Sequence, residues 1–254
     1  GENFANIKLE SGIDFEGFTS FAQNITFNNE FNEIYNLNSI NPLERSYNRY
    51  YSFIKTGLEE PLSTHSDHFS TNQAYGVGSY TKGAIFLMQL GYIIGEDKLF
   101  KGLRRYYNEW KFKHPDEYDF LRIMEKEGGI ELDWYIDYWI KTTHQIDYSL
   151  ELNEKDKNKI SVSINRIGKM PMPIEIEVLY EDLPSENYYI PLSIMRGEKD
   201  NSDNKLIILD DWEWVNESYQ FDLDMSGKKI KKIEINPSGE LADVNKSNNL
   251  IEFE

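Results

Sequence analysis

The sequence has no cysteine. Disulfides and thiolate metal sites are therefore excluded, and any fold must rest on burial and hydrogen bonding. Histidine is scarce too. His65, His68, His114 and His144 are the four present, and none stands in the His-Glu-x-x-His spacing that puts two imidazoles and a carboxylate base on one helix face. Basic residues number 27 against 44 acidic ones, a net charge of −17. No basic surface dominates, which argues against a nucleic-acid partner. The longest apolar run, Gly83–Ile94, is interrupted by Gln89 and falls short of the roughly 20 residues needed to cross a bilayer. No signal peptide opens the chain, and Gly1-Glu2-Asn3 reads as a processed or engineered start. The compartment stays open, with an exported or periplasmic location compatible.

What is present argues for an ordered protein. Of the 254 residues, 39% are hydrophobic and 14% aromatic, enough for one large domain or two ordinary ones. Up to residue 147 the pattern is helical. Phe18, Phe21, Ala22 and Ile25 recur at helical spacing, as do Tyr47, Tyr50, Tyr51 and Ile54. Ser63–Gly78, rich in Ser, Thr, Asn and Gly, reads as a long loop of the functional kind. Tyr80–Ile94 is apolar on nearly every face and predicts a helix buried in a bundle. Further helices are predicted over Lys98–Trp110, Asp119–Glu127 and Asp133–Lys141, with Asp133 as an N-cap.

From Tyr148 the period changes to two. Lys159–Ile164, Ile174–Leu179, Tyr188–Ile194 and Lys231–Ile235 alternate apolar and polar residues, separated by Pro, Gly, Asn and Asp. This predicts a β-sandwich of roughly 100 residues. The expected architecture is therefore multidomain α and β: an all-α helical bundle over residues 1–147, then an all-β sandwich over 148–254.

Few residues stand out for chemistry. His65 and His68 lie three apart with Asp67 between them; hydrogen-bonding loop histidines account for them better than a metal site, which wants three or four ligands. Trp212 and Trp214 flank Glu213, a pairing more common in core anchors than in carbohydrate platforms.

A family resemblance adds what periodicity does not. Glu16-Gly17-Phe18-Thr19-Ser20-Phe21-Ala22 resembles the stretch that follows the His-Glu-x-x-His helix in aminopeptidase N-like zinc metallopeptidases (gluzincins). That stretch supplies the third zinc ligand. Ala74-Tyr75-Gly76-Val77-Gly78-Ser79-Tyr80-Thr81-Lys82-Gly83 resembles the segment carrying the family's catalytic tyrosine, and the 64-position separation of Glu16 and Tyr80 is similar to the family's. The run from Trp110 to Tyr148, with Gly168–Pro173 and Met195–Glu198, looks like bacterial members that continue into a sandwich. Phe15 stands between Asp14 and Glu16, a departure from the family's Asp/Asn-Glu-Gly order.

The resemblance implies a helical region forming the C-terminal part of a gluzincin catalytic domain. It implies Glu16 as a Zn²⁺ ligand, Tyr80 as hydrogen-bond donor to the oxyanion formed when a zinc-activated water attacks a peptide bond, and Tyr75 as a second active-site tyrosine. Zinc is expected in an intact parent protein and not in this chain, which lacks the histidine pair and is expected to be inactive alone. The implied substrate is a peptide or protein. The alternative is a non-catalytic relative that binds a peptide or protein partner and never carried the histidines.

Overall fold

The computed structural model describes residues 15–35, 41–156, 158–203 and 205–253. Two compact units result, Gly1–Thr143 and His144–Glu254.

The first unit is helical: α1 (Phe15–Tyr35), α2 (Glu44–Ile54), α3 (Asn72–Tyr75), a π-helical segment (Gly76–Lys82), α4 (Gly83–Ile94), α5 (Glu96–Trp110), α6 (Glu117–Gly128) and α7 (Asp133–Trp139). The centre is α4, where ten of twelve residues are buried, as its apolar sequence demands. Its one polar interior residue, Gln89, has no exposed surface and donates to the Tyr47 hydroxyl at 2.7 Å, which removes the cost of an unpaired buried amide. Gly95, at φ +95°, takes a backbone conformation that L side chains rarely adopt and separates α4 from α5.

Aromatic rings fill the space between these helices. Phe18 meets Phe120 edge-on at 5.2 Å, and Phe86 stacks on Tyr135 at 5.0 Å. The Tyr135 hydroxyl donates to the Phe86 carbonyl at 2.7 Å, so a fully buried phenol is satisfied. Helix α6 opens with a reciprocal cap: Asp119 N–H donates to Asp116 Oδ1 at 2.9 Å and Asp116 N–H to Asp119 Oδ2 at 3.1 Å.

The second unit holds β1 (Tyr148–Asp156), β2 (Lys159–Arg166), β3 (Ile174–Tyr180), β4 (Glu186–Ile190), β5 (Leu206–Ile208), β6 (Ser218–Asp224), β7 (Ile230–Ile235) and β8 (Leu250–Glu252). They form two sheets, ordered β1-β2-β6 and β5-β4-β3-β7-β8. All pairings are antiparallel except β4 with β5. Ile160, Val162 and Ile164 of one sheet and Ile174, Ile176 and Val178 of the other are fully buried, the period-two burial of a sandwich. Trp212 is buried and Tyr148 meets it edge-on at 5.8 Å. It is a core anchor.

Three local expectations differ from the structure. Ser63–Gly78 is not one loop: it holds a 3-10 turn at Ser66–His68, all of α3 and the start of the π-helical segment. Asp133 is the first residue of α7, and Leu132 occupies the cap position. The strand expected over Tyr188–Ile194 ends at Ile190 because Pro191 has no N–H to continue a ladder. No helix among the described residues is long and apolar enough to cross a membrane.

Candidate active site

The site begins with a close helix crossing. A Cβ built on Gly17 would lie 2.8 Å from the Gly83 Cα, and one on Gly83 would lie 2.9 Å from the Gly17 Cα. Neither distance is compatible with a side chain. Helices α1 and α4 therefore meet backbone to backbone. Glu16 precedes one of these glycines, and Tyr80 sits three residues before the other. The crossing brings residues 64 positions apart in the chain to one place.

Tyr80 lies on the π-helical segment Gly76–Lys82, which runs without a break from α3 into α4. Thr71 starts α3 by accepting the Ala74 N–H at 3.0 Å, a standard N-cap bond. π-helical turns are rare and recur at functional sites. Here the segment buries Val77, Gly78, Ser79, Thr81 and Lys82 while leaving Tyr80 36% exposed.

The Glu16 carboxylate lies near enough to the Tyr80 hydroxyl to perturb its ionisation. Interaction with Glu16, together with desolvation, pushes the Tyr80 pKa up to about 12. Tyr75 stands beside them, its ring perpendicular to Tyr80 with centroids 6.1 Å apart. Phe69 packs edge-on against Tyr75 at 5.7 Å. Gly78 leaves room for that ring, since a Cβ there would lie 3.4 Å from Phe69. Glu16, Tyr75 and Tyr80 thus form one cluster. A neutral phenol beside a carboxylate can donate a hydrogen bond to an anionic or polarised oxygen.

His65 and His68 do not join this cluster as ligands. Both are exposed, with ring centroids 5.2 Å apart, and His65 Nδ1 accepts the Asp67 N–H at 3.2 Å. Sequence reading missed one further group. Glu125, Glu131 and Asp133 bring carboxylate oxygens within 4.8 Å of one another, and Glu125 accepts the Leu132 N–H at 2.9 Å. Burial raises the Glu125 pKa. The two exposed members gave no sequence signal among 44 acidic residues.

Residues 15–139 match the Peptidase family M1 domain. Over these residues the helical unit is similar to peptidase family M1. This is the aminopeptidase N-like gluzincin family, whose members are in general zinc-dependent. The solved structure of Legionella pneumophila aminopeptidase A in complex with aspartic acid is similar in fold, with a TM-score of 0.57 at 12% identity. That match covers 94% of this chain and 24% of the Legionella chain, so the chain spans about a quarter of its length. Among curated proteins, none matches the sequence.

The cluster is tested against zinc by its donors. A catalytic zinc takes three protein ligands. Among the described residues, the one group of three candidate ligands is Glu125, Glu131 and Asp133, which does not include Glu16. The cluster of Glu16, Tyr75 and Tyr80 offers a single carboxylate and no imidazole. By themselves, the described residues do not fit a complete zinc site.

Proposed function

We propose that this chain supplies the carboxylate-and-tyrosine side of a zinc-dependent aminopeptidase-type active site, completed by histidines outside these 254 residues. Peptide bonds are the substrate. The observation that supports this reading is the Gly17–Gly83 helix crossing, which sets Tyr80 near the Glu16 carboxylate that raises its pKa, the two residues that the family resemblance assigns to oxyanion and metal.

In this reading Glu16 would be one carboxylate ligand, held together with histidines outside these residues, and the metal, when bound, would supply an activated water. Tyr80 donates its hydroxyl hydrogen to the oxygen that gains charge as the peptide carbon becomes tetrahedral. A donor fixed at that position contributes about 3–4 kcal/mol. The raised pKa of about 12 keeps the phenol protonated at working pH, as a donor must be. Tyr75, perpendicular to Tyr80, is assigned the second-tyrosine role, limiting the rotation of the Tyr80 ring and facing the same substrate group.

The test is metal content and turnover in a protein carrying this chain together with a His-Glu-x-x-His segment. Wild type is expected to hold one zinc and to cleave aminoacyl substrates; Glu16→Ala is expected to lose both. Full zinc and turnover in Glu16→Ala would remove Glu16 from the site.

A further inference from the structure

Two residues beyond Tyr80, the π-helical segment ends on a buried cation. Lys82 has 1% of its side chain exposed and pairs with Glu59, 7% exposed, at 2.7 Å. Its Nζ also donates to the Thr142 carbonyl at 3.3 Å and lies 5.7 Å over the Trp139 ring. Glu59 in turn accepts from the Tyr50 hydroxyl at 3.1 Å. One ammonium thus ties the end of the π-helical segment to the chain after α2 and the chain after α7. Lys82 is the only cation among the buried described residues.

Such a pair contributes little net stability. Removing two charges from water costs about as much as their attraction returns, and apolar replacements of similar volume are often neutral. Burial lowers the Lys82 pKa against the pull of Glu59, which shows the cost of holding the charge there. What the pair does fix is register. Gly76–Lys82 closes π-type turns, and the competing α-helical closure would be one residue tighter. That change would carry Tyr80 around the axis, away from Glu16. With Lys82 clamped at one end and the Gly17–Gly83 crossing beside it, the wider turn is held.

We propose that Lys82, through its ion pair with Glu59, is a positioning residue that holds the π-helical turn in the register setting Tyr80 beside Glu16. Its importance for turnover rests on the peptidase reading; its effect on Tyr80 does not.

The experiment uses [13C]tyrosine-labelled chain at pH 7. The Tyr80 ring signal is identified by its loss in Tyr80→Phe, and Glu16→Ala gives its position without the carboxylate. Two test variants follow: Lys82→Gln, and Lys82→Met combined with Glu59→Leu. In both, Tyr80 is expected at the Glu16→Ala position, with the melting temperature of the double variant within a few degrees of wild type. In the zinc-complete protein, kcat is expected to fall about tenfold or more with KM unchanged. A Tyr80 signal at the wild-type position in either folded variant overturns the proposal. Failure of both variants to fold also overturns it, because the pair would then be a stability element. A shifted signal with unchanged kcat supports the positioning role and instead sinks the peptidase reading of Tyr80.

Discussion

Gly17 and Gly83 touch backbone to backbone, each Cα standing where the other's side chain would begin, and this contact sets Glu16 beside Tyr80. Placing a methyl group on either glycine forces α1 and α4 apart. Gly→Ala in a helix otherwise gains about 1 kcal/mol in propensity, whereas overpacking costs about 1–3 kcal/mol. The clash is with backbone, which cannot rotate aside, so overpacking wins.

Gly17→Ala and Gly83→Ala are therefore expected to lower stability in urea unfolding. Gly76 provides the contrast. Its φ of −66° suits any residue, and a Cβ at this position would have the flexible Arg49 guanidinium, 3.8 Å away, as its nearest neighbour. Gly76→Ala is expected to be neutral or stabilising by up to about 1 kcal/mol. Equal losses at all three positions would show that the helix crossing is not specially tight.

The helical face of α1 and the buried run of α4 were legible because Phe18, Phe21, Leu87 and Leu90 fall at spacings that only a helix packs well. The π-helical segment was not. Its glycines, serine and threonine read as loop chemistry, and no local pattern separates a π turn from a loop. Burial of Val77, Gly78 and Ser79 comes from tertiary contacts. Tyr80 and Glu16 were found by family resemblance alone, since a half-exposed tyrosine has no periodic signature. Strands β2, β3 and β7 were readable from their alternation, whereas β6 was missed although Tyr219, Phe221 and Leu223 alternate in it. Strands β5 and β8, three residues each, are too short to show a period. The Lys82–Glu59 pair was hidden because burial of a lysine follows from packing, not from its neighbours in sequence.

The 254-residue chain alone is expected to bind no stoichiometric zinc. Elemental analysis after dialysis against micromolar zinc checks this. One equivalent retained by the wild-type chain and lost in Glu16→Ala would contradict the donor count, because one carboxylate would then suffice where three ligands are normal.

The sandwich carries its own pH dependence. Asp243 is fully buried and accepts the Tyr148 N–H at 2.9 Å and the Asn245 N–H at 2.8 Å. Burial pushes its pKa up to about 6, with these hydrogen bonds opposing. A folded pKa above the unfolded value, near 3.9, means that the native state holds the proton more tightly. The associated stability is complete below about pH 4 and is lost as pH rises through 6, a change of about 2–3 kcal/mol. Urea unfolding of wild type against Asp243→Asn between pH 4 and 7 reads the difference. Parallel pH curves would show that Asp243 does not titrate in this range.

Tyr80→Phe removes one hydroxyl from a side chain 36% exposed and leaves its ring packing intact, so it separates chemistry from folding. In the zinc-complete protein, steady-state kinetics are expected to show kcat lowered about a hundredfold or more, with KM and the urea midpoint nearly unchanged. A wild-type kcat in this variant would contradict the assignment of Tyr80 to the oxyanion.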